Sequence, residues 1–194
     1  MNTNSFAQEV SDDVLARASR IKLFLMDVDG TLTDGSVSLI STLRAEPQAE
    51  PVVTEMKTFS AQDGQGLSLA HTMGIKTGFI TGRRSPAVTQ RAKEMKVDYV
   101  CLGQGDKASA YEDCMQRAGV SDEEIAYMGD DLPDINLARR AGLGVCVADG
   151  APELKAVCTY ITQRCGGKGA AREVIELILK AQGRWEEAVP LALA

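Results

Sequence analysis

The chain has 194 residues, enough for one ordinary domain with its own core. Hydrophobic residues make up 44% of the sequence and charged residues 25%, proportions that are typical of a globular protein. The formal net charge of −6 argues against a surface for nucleic acid or for an anionic membrane, so we expect neither as a partner.

Two further features bear on where the protein acts. No stretch approaches the roughly 18 consecutive apolar residues that a membrane span needs, and the first residues do not resemble a signal peptide. The five cysteines show no C-x-x-C spacing, which is typical of a protein from a reducing compartment. We therefore expect a cytoplasmic protein. The single histidine excludes a metal site built from histidines, so any metal would be held by carboxylates.

Strand-like apolar runs alternate with helical periodicity along most of the chain. This alternation predicts an α/β fold with a single Rossmann-like parallel sheet covered by helices. The predicted strands are residues 21–26, 75–80, 99–102, 125–128, 143–147 and 159–161. The predicted helices are residues 8–20, 66–73, 85–96, 107–117, 133–141, 152–156 and 170–181.

One segment departs from this rhythm. Residues 36–58 alternate like two strands on either side of a turn at residues 44–51. We interpret the segment as a β-hairpin that projects from the sheet, in a protein without a cap domain. No internal repeat or second domain is evident, so residues 1–194 are predicted to form one domain.

Polar side chains follow each of the first four strands of the predicted sheet. Ligands of an open parallel sheet bind at the carboxyl ends of its strands, so these residues are candidates for a site. In chain order they are Asp27 and Asp29, then Thr81 with Gly82 and Arg83, then Lys107, and finally Asp130 with Asp131 and Asp134.

These residue types suit phosphoryl transfer, in which catalysis is mostly positioning and neutralisation of charge. Strand alternation predicts that Asp27 and Asp29 point to the same side. Asp27 would attack phosphorus, while Asp29 would protonate the leaving oxygen and then activate water. Thr81 and Lys107 would bind phosphoryl oxygens. Asp130, together with Asp27 and the carbonyl of Asp29, would hold Mg²⁺.

The four motifs, in this order, resemble the haloacid dehalogenase superfamily of phosphatases over residues 21–181. Within it, residues 27–35 followed by a hairpin, residues 59–66 and the Gly-rich residues 164–173 resemble the phosphatases of 3-deoxy-D-manno-octulosonate (Kdo) 8-phosphate. The resemblance implies a Mg²⁺-dependent sugar-acid phosphatase that forms an aspartyl phosphate and serves lipopolysaccharide biosynthesis. It also implies a homotetramer assembled through the hairpins, with a C-terminal tail (residues 164–173) that helps to cover a neighbour's site.

The resemblance and the charges of the chain together suggest which residues meet the substrate. An open site without a cap needs walls from elsewhere, and the hairpin and the Gly-rich segment are the candidates. Lys57 and Asp63 fit the family's substrate-side segment only loosely. Substrate contacts are predicted for Thr31, Gly82, Arg83, Lys107, Arg164 and Lys168, with Asp131 and Asp134 in supporting roles.

Three alternatives stay open from sequence. The nearest is a phosphatase for the nine-carbon sugar acid KDN 9-phosphate or for another sugar phosphate. In the KDN group the residue after Thr-Gly tends to be acidic, whereas Arg83 favours the eight-carbon acid. A receiver-like phospho-signalling domain would normally carry a lone phospho-acceptor at a middle strand. A non-catalytic interaction module is disfavoured because the acidic residues and Lys107 are present.

Overall fold

The computed structural model describes residues 10–42 and 50–191. Its helices are α1 (Asp12–Ala18), α2 (Ala61–Thr72), α3 (Pro86–Glu94), α4 (Lys107–Ala118), α5 (Ile135–Arg140), α6 (Pro152–Lys155), α7 (Ala170–Ala181) and α8 (Trp185–Leu191), with short 3₁₀ helices at Asp122–Glu124 and Leu132–Asp134. Its strands are β1 (Leu23–Met26), β2 (Ser38–Thr42), β3 (Val52–Met56), β4 (Lys76–Thr81), β5 (Tyr99–Leu102), β6 (Ile125–Gly129), β7 (Leu143–Cys146) and β8 (Tyr160–Ile161). None of the helices in these ranges is long and apolar enough to cross a membrane.

Six strands form one parallel sheet in the order β5-β4-β1-β6-β7-β8, which confirms the predicted α/β fold. The chain starts at the centre with β1, adds β4 and β5 on one side, and returns to add β6, β7 and β8 on the other. The direction of strand addition therefore reverses between β1 and β6. A parallel sheet has its ligand crevice at such a reversal, beyond the carboxyl ends of the strands.

Helices bury both faces of this sheet. Phe24 and Met26 of β1 belong to the core packed by α1, α2 and α7, whereas Leu23 and Leu25 belong to the core packed by α4 and α5. Successive strand residues point to opposite faces, so burial on both sides requires an unbroken apolar run. That requirement explains why β1 could be predicted from the apolar run at residues 21–26.

The predicted hairpin is present as a separate sheet. β2 and β3 pair antiparallel, with Leu39 opposite Glu55 and Ile40 opposite Thr54. Most of the predicted turn, residues 44–49, lies outside the described residues. Between β1 and α2 the described chain forms this hairpin and no other helix or strand.

Helix boundaries differ from the prediction where capping decides them. Helix α1 begins at Asp12, because the hydroxyl of Ser11 accepts the N–H of Val14; residues 8 and 9 of the predicted helix lie outside the described residues. The predicted helical residues 66–73 belong almost entirely to α2, which begins at Ala61 because the hydroxyl of Ser60 caps it. Helix α8 was not predicted, since it is short and contains Pro190.

The Gly-rich segment 164–173 is not a C-terminal tail, as the sequence had suggested. It connects β8 to α7, which begins at Ala170 and is followed by α8. Gly166 and Gly167 pack on the backbone of Gly30 and Thr33, and the N–H of Gly167 donates to the carbonyl of Thr31 at 3.0 Å. A Cβ atom at residue 166 would overlap the carbonyl of Gly30. The segment therefore braces the loop after β1 of its own chain.

Asp63 supports this connection from α2. Its side chain is buried, with an exposed fraction of 2% for the residue, and it accepts the N–H groups of Gly169 at 3.1 Å and Arg172 at 3.0 Å. These groups lie at the start of α7, where backbone donors lack partners within the helix. Asp63 thus caps α7 rather than facing a substrate.

We predict that Asp63→Ala lowers the free energy of unfolding by about 1–2 kcal/mol, because it leaves the first turn of α7 without its acceptor. Denaturant titration would measure the change. The control is Asp113→Ala, which removes an exposed ion pair with Arg117 and should cost less than about 0.5 kcal/mol. Equal losses in the two variants would contradict the capping role.

Candidate active site

The predicted polar residues converge at the carboxyl edge of the sheet, beside the reversal point between β1 and β6. Four structural segments supply them: the loop after β1, the end of β4, the start of α4 and the loop after β6. Their side chains are, in that order, Asp27 and Asp29, Thr81, Lys107, and Asp130 with Asp134.

Three carboxylates crowd around one lysine in this crevice. Oxygens of Asp27, Asp130 and Asp134 all lie within 4.8 Å of one another. The Nζ of Lys107 lies 3.1 Å from Asp27 and 2.7 Å from Asp134. Three negative charges against one positive charge leave two formal negative charges, which is the amount that one Mg²⁺ would balance.

Asp134 organises the cluster. Its Oδ1 accepts from Lys107 and, at 2.7 Å, from the hydroxyl of Tyr127, while its Oδ2 accepts the backbone N–H groups of Asp130 at 3.1 Å and Asp131 at 3.4 Å. Both oxygens are therefore occupied, and the side chain is 1% exposed. This fits the supporting role predicted for it. Sequence reasoning missed Tyr127, because a tyrosine inside an apolar strand gives no sign of a polar partner.

Asp130 is oriented by the loop after β1. The hydroxyl of Thr31 donates to its Oδ1 at 2.9 Å, and Thr31 itself is fully buried. The hydroxyl of Thr31 thus holds Asp130, and the contact of Thr31 with the substrate stays a prediction. Gly30 adopts a φ of +95°, and a Cβ there would overlap the carboxylate of Asp130. The loop leaves just enough room for that carboxylate.

Without a cation, these carboxylates resist ionisation. Burial raises the pKa of Asp130 to about 7, and the charge of Asp27 adds to the effect. Burial also raises the pKa of Asp27 to about 6, although Lys107 opposes the shift. Burial disfavours the charge of Lys107, yet Asp27 and Asp134 outweigh it and keep the lysine's pKa above its usual value. An oxygen-only donor set with surplus negative charge fits Mg²⁺.

Asp29 occupies separate surroundings from Asp27. β1 ends at Met26, so the strand alternation used to place both residues on one side does not extend to them. One oxygen of Asp29 accepts from Lys57, which follows β3 of the hairpin. Its Oδ2 is buried without a hydrogen-bond partner, and the Nε of Arg83 lies 4.0 Å away. The side chain of Asp29 is not a member of the three-carboxylate group.

The motif after β4 has one buried and one exposed part. Thr81 is 2% exposed, and its hydroxyl oxygen accepts the N–H of Arg83 at 3.2 Å. Gly82 and Arg83 are exposed, and the guanidinium of Arg83 donates to Glu55 of β3 at 2.6 Å. The hairpin therefore contacts the motif after β4 as well as Asp29.

The remaining predicted residues lie at the periphery. Arg164 donates to the side chain of Gln62 at 2.8 Å, and Lys168 is exposed on the segment that packs on the loop after β1. Asp131 is also exposed, and its carboxylate accepts the N–H of Leu132 at 2.8 Å. Asp131 therefore caps the 3₁₀ helix that carries Asp134.

Comparison with known proteins agrees with this geometry. Residues 103–173 match the family model described as haloacid dehalogenase-like hydrolase. The chain is 37% identical over 179 residues to the 3-deoxy-D-manno-octulosonate 8-phosphate phosphatase KdsC of Escherichia coli K12, covering 92% of this chain and 90% of that protein.

Solved structures are similar over nearly the whole chain. The 3-deoxy-D-manno-octulosonate 8-phosphate phosphatase of Moraxella catarrhalis, in complex with a magnesium ion, a phosphate ion and a KDO molecule, is 40% identical with a TM-score of 0.82. The match covers 93% of this chain and 98% of that one. A probable YrbI family phosphatase from Pseudomonas syringae is 38% identical with a TM-score of 0.84, covering 95% and 99% of the two chains.

We predict that the raised pKa values of Asp27 and Asp130 make the metal-free protein less stable as the pH rises. Both lie above the ordinary value of 3.8, at about 6 and about 7, so the folded state keeps protons that the unfolded state has released. These retained protons favour the folded state. Their contribution to the free energy of unfolding is complete below the unfolded-state pKa and is lost as the pH rises through the two folded-state pKa values. Denaturant titration in a chelator at several pH values would measure it.

The control for this prediction is Asp130→Asn, which removes one of the two groups. Other carboxylates, whose pKa values are lowered in the folded state, make the protein more stable as the pH rises. The diagnostic quantity is therefore the difference in unfolding free energy between wild type and Asp130→Asn. Wild type should lose stability relative to Asp130→Asn as the pH rises from 5 to 8, and excess Mg²⁺ should reverse the loss. A difference independent of pH would contradict the assignment.

Proposed function

The chain belongs to the 3-deoxy-D-manno-octulosonate 8-phosphate phosphatases among the haloacid dehalogenase-like hydrolases, and we propose that it hydrolyses this phosphate ester to Kdo and inorganic phosphate. The whole chain acts as one phosphatase domain in the cytoplasm, in lipopolysaccharide biosynthesis. One observation carries the proposal: the buried Asp27 lies beside Lys107 in a crevice whose surplus charge matches one Mg²⁺.

In the first step, an oxygen of Asp27 attacks phosphorus and the bond from phosphorus to the sugar oxygen breaks. Asp29 gives its proton to that leaving oxygen, and an aspartyl phosphate remains at residue 27. Lys107 and Thr81 bind the non-bridging oxygens of the phosphoryl group. Lys107 is held for this task by Asp134, which keeps its Nζ 3.1 Å from the nucleophile.

In the second step, water attacks phosphorus and gives a proton to Asp29 as the bond to Asp27 breaks. Phosphate leaves, and the carboxylate of Asp27 and the protonated Asp29 are restored. Asp27, Asp130 and the carbonyl of Asp29 would hold Mg²⁺, and Asp134 orients the loop that carries Asp130. When bound, Mg²⁺ offsets the charge between the anionic nucleophile and the anionic substrate.

Recognition of the sugar acid is assigned to the exposed cations around the crevice. Arg83, Arg164 and Lys168 lie on the two segments beside the catalytic loop and carry the positive charge that an acidic sugar phosphate needs. Gly82 lets the substrate approach the backbone after β4. Because Arg83 is basic, we assign the eight-carbon acid as substrate in preference to KDN 9-phosphate.

The protein also forms a homotetramer through its hairpins in this proposal. Both faces of the hairpin carry exposed apolar side chains. Ile40, Val52 and Met56 share one face with exposed fractions of 51%, 43% and 51%, and Leu39 and Val53 share the other with 62% and 57%. Exposed apolar side chains at this density on a two-stranded sheet favour burial against another chain.

We predict that Asp27→Asn lowers kcat for Kdo 8-phosphate by at least about 10³-fold, because the amide cannot attack phosphorus. Phosphate release with and without Mg²⁺ would measure the loss, and Asp113→Asn on the outer surface of α4 is the control. KDN 9-phosphate in the same assay should give a lower kcat/KM. Full activity of Asp27→Asn would exclude the proposed nucleophile. A stable phospho-aspartate that never turns over in wild type would favour a receiver-like domain.

We predict that Ile40→Glu converts the tetramer into smaller species, because it places a charge in an apolar face of the hairpin. Light scattering after size-exclusion chromatography would give the mass. Thr72→Glu adds the same charge to the exposed surface of the last turn of α2 and should leave the tetramer intact. A monomeric wild type, or equal dissociation of both variants, would contradict assembly through this face.

A further inference from the structure

The structure assigns to Lys57 a positioning role: it holds one oxygen of Asp29 so that the other faces the reacting phosphoryl group, and it makes that alignment depend on the hairpin. The inference rests on the proposed phosphatase chemistry, because it concerns the residue given the acid–base role.

Lys57 is a buried charged side chain that comes from an exposed element. Lys57 directly follows β3, whose residues are mostly exposed, yet its own side chain is only 1% exposed. Burying a lysine is costly unless its charge is paired. Its Nζ pairs with Asp29 and lies 3.5 Å from Glu55. The cost is therefore met by contacts at the active site.

The two oxygens of the Asp29 carboxylate have different surroundings. Oδ1 is occupied by Lys57, whereas Oδ2 is buried with no hydrogen-bond partner. Buried polar oxygens nearly always have a partner, so an unpartnered one in a crevice indicates a group supplied by a ligand. Lys57 therefore fixes the plane of the carboxylate and leaves Oδ2 for the leaving oxygen and then for water.

A series of alternating charges connects three segments at the active site. Lys57 lies just after β3, and its Nζ is 3.5 Å from a carboxylate oxygen of Glu55 in that strand. Glu55 in turn accepts from Arg83 of the motif after β4 at 2.6 Å. The base of the hairpin is thus clamped between the loops that follow β1 and β4. A movement of the hairpin would shift Lys57 and, with it, Asp29.

The test uses p-nitrophenyl phosphate, whose leaving group departs as an anion and needs little protonation. Loss of Asp29 alignment should then leave phosphorylation of Asp27 nearly intact and slow the attack of water, which needs a general base. For Lys57→Met we expect a rapid burst of about one p-nitrophenolate per active site. The steady-state kcat should be about 100-fold lower, as for an ångström-scale misplacement of a catalytic group. KM should fall with kcat, so that kcat/KM changes little.

An alkyl phosphate separates this role from general loss of structure. Its leaving oxygen needs the proton from Asp29, so Lys57→Met should lower kcat/KM for the alkyl ester far more than for the nitrophenyl ester. Lys57→Arg should recover part of the loss. The control is Lys76→Met, which breaks a lysine–aspartate pair with Asp98 at the opposite edge of the sheet and should match wild type.

Two results would overturn the inference. One is an equal fall of kcat/KM for both esters without a burst, which would make Lys57 a residue of the fold or of substrate binding. The other is a kcat for Lys57→Met within about twofold of wild type. Failure of the proposed function gives a different result from both. Wild type itself would then fail to hydrolyse Kdo 8-phosphate, whereas turnover of p-nitrophenyl phosphate by wild type and Lys57→Met would still report on Lys57.

Discussion

Three buried carboxylates that share one lysine are the constraint on which the rest of this site depends. Asp27, Asp130 and Asp134 can approach one another only because Lys107 and the hydrogen bonds to Asp134 offset part of their repulsion. Burial raises the pKa values of Asp27 and Asp130, and the remaining repulsion adds to the shift. A site in this condition is ready for a divalent cation, because binding one relieves repulsion that the fold has already imposed.

The surrounding backbone is shaped to hold that cluster. Gly30 leaves room for the carboxylate of Asp130, and the Gly-rich connection before α7 packs on the same loop through Gly166. Asp63 then fixes the start of α7 by accepting two of its N–H groups. Residues far apart in the chain thus bear on the position of one catalytic loop. A substitution at Gly166 would therefore act on the site without touching a substrate.

The central chemistry was predictable from sequence because the sheet follows simple rules. A continuous apolar run predicted β1, and the rule that ligands bind at the carboxyl edge brought Asp27, Lys107 and Asp130 together. The failures share a cause: they depended on contacts between distant segments. The hydrogen bond from Thr31 to Asp130 was not foreseen because the two residues lie 99 positions apart, and Lys57 received little weight because nothing local reveals its pairing with Asp29.

The claim that Asp27 is the nucleophile can be tested by trapping the acyl phosphate with borohydride during turnover of Kdo 8-phosphate. Reduction converts an aspartyl phosphate to homoserine, and peptide mass spectrometry locates the altered residue. The account predicts homoserine at residue 27 and at no other aspartate, in wild type but not in Asp27→Asn. Homoserine at Asp29 or Asp130, or steady turnover with no trapped residue, would contradict it.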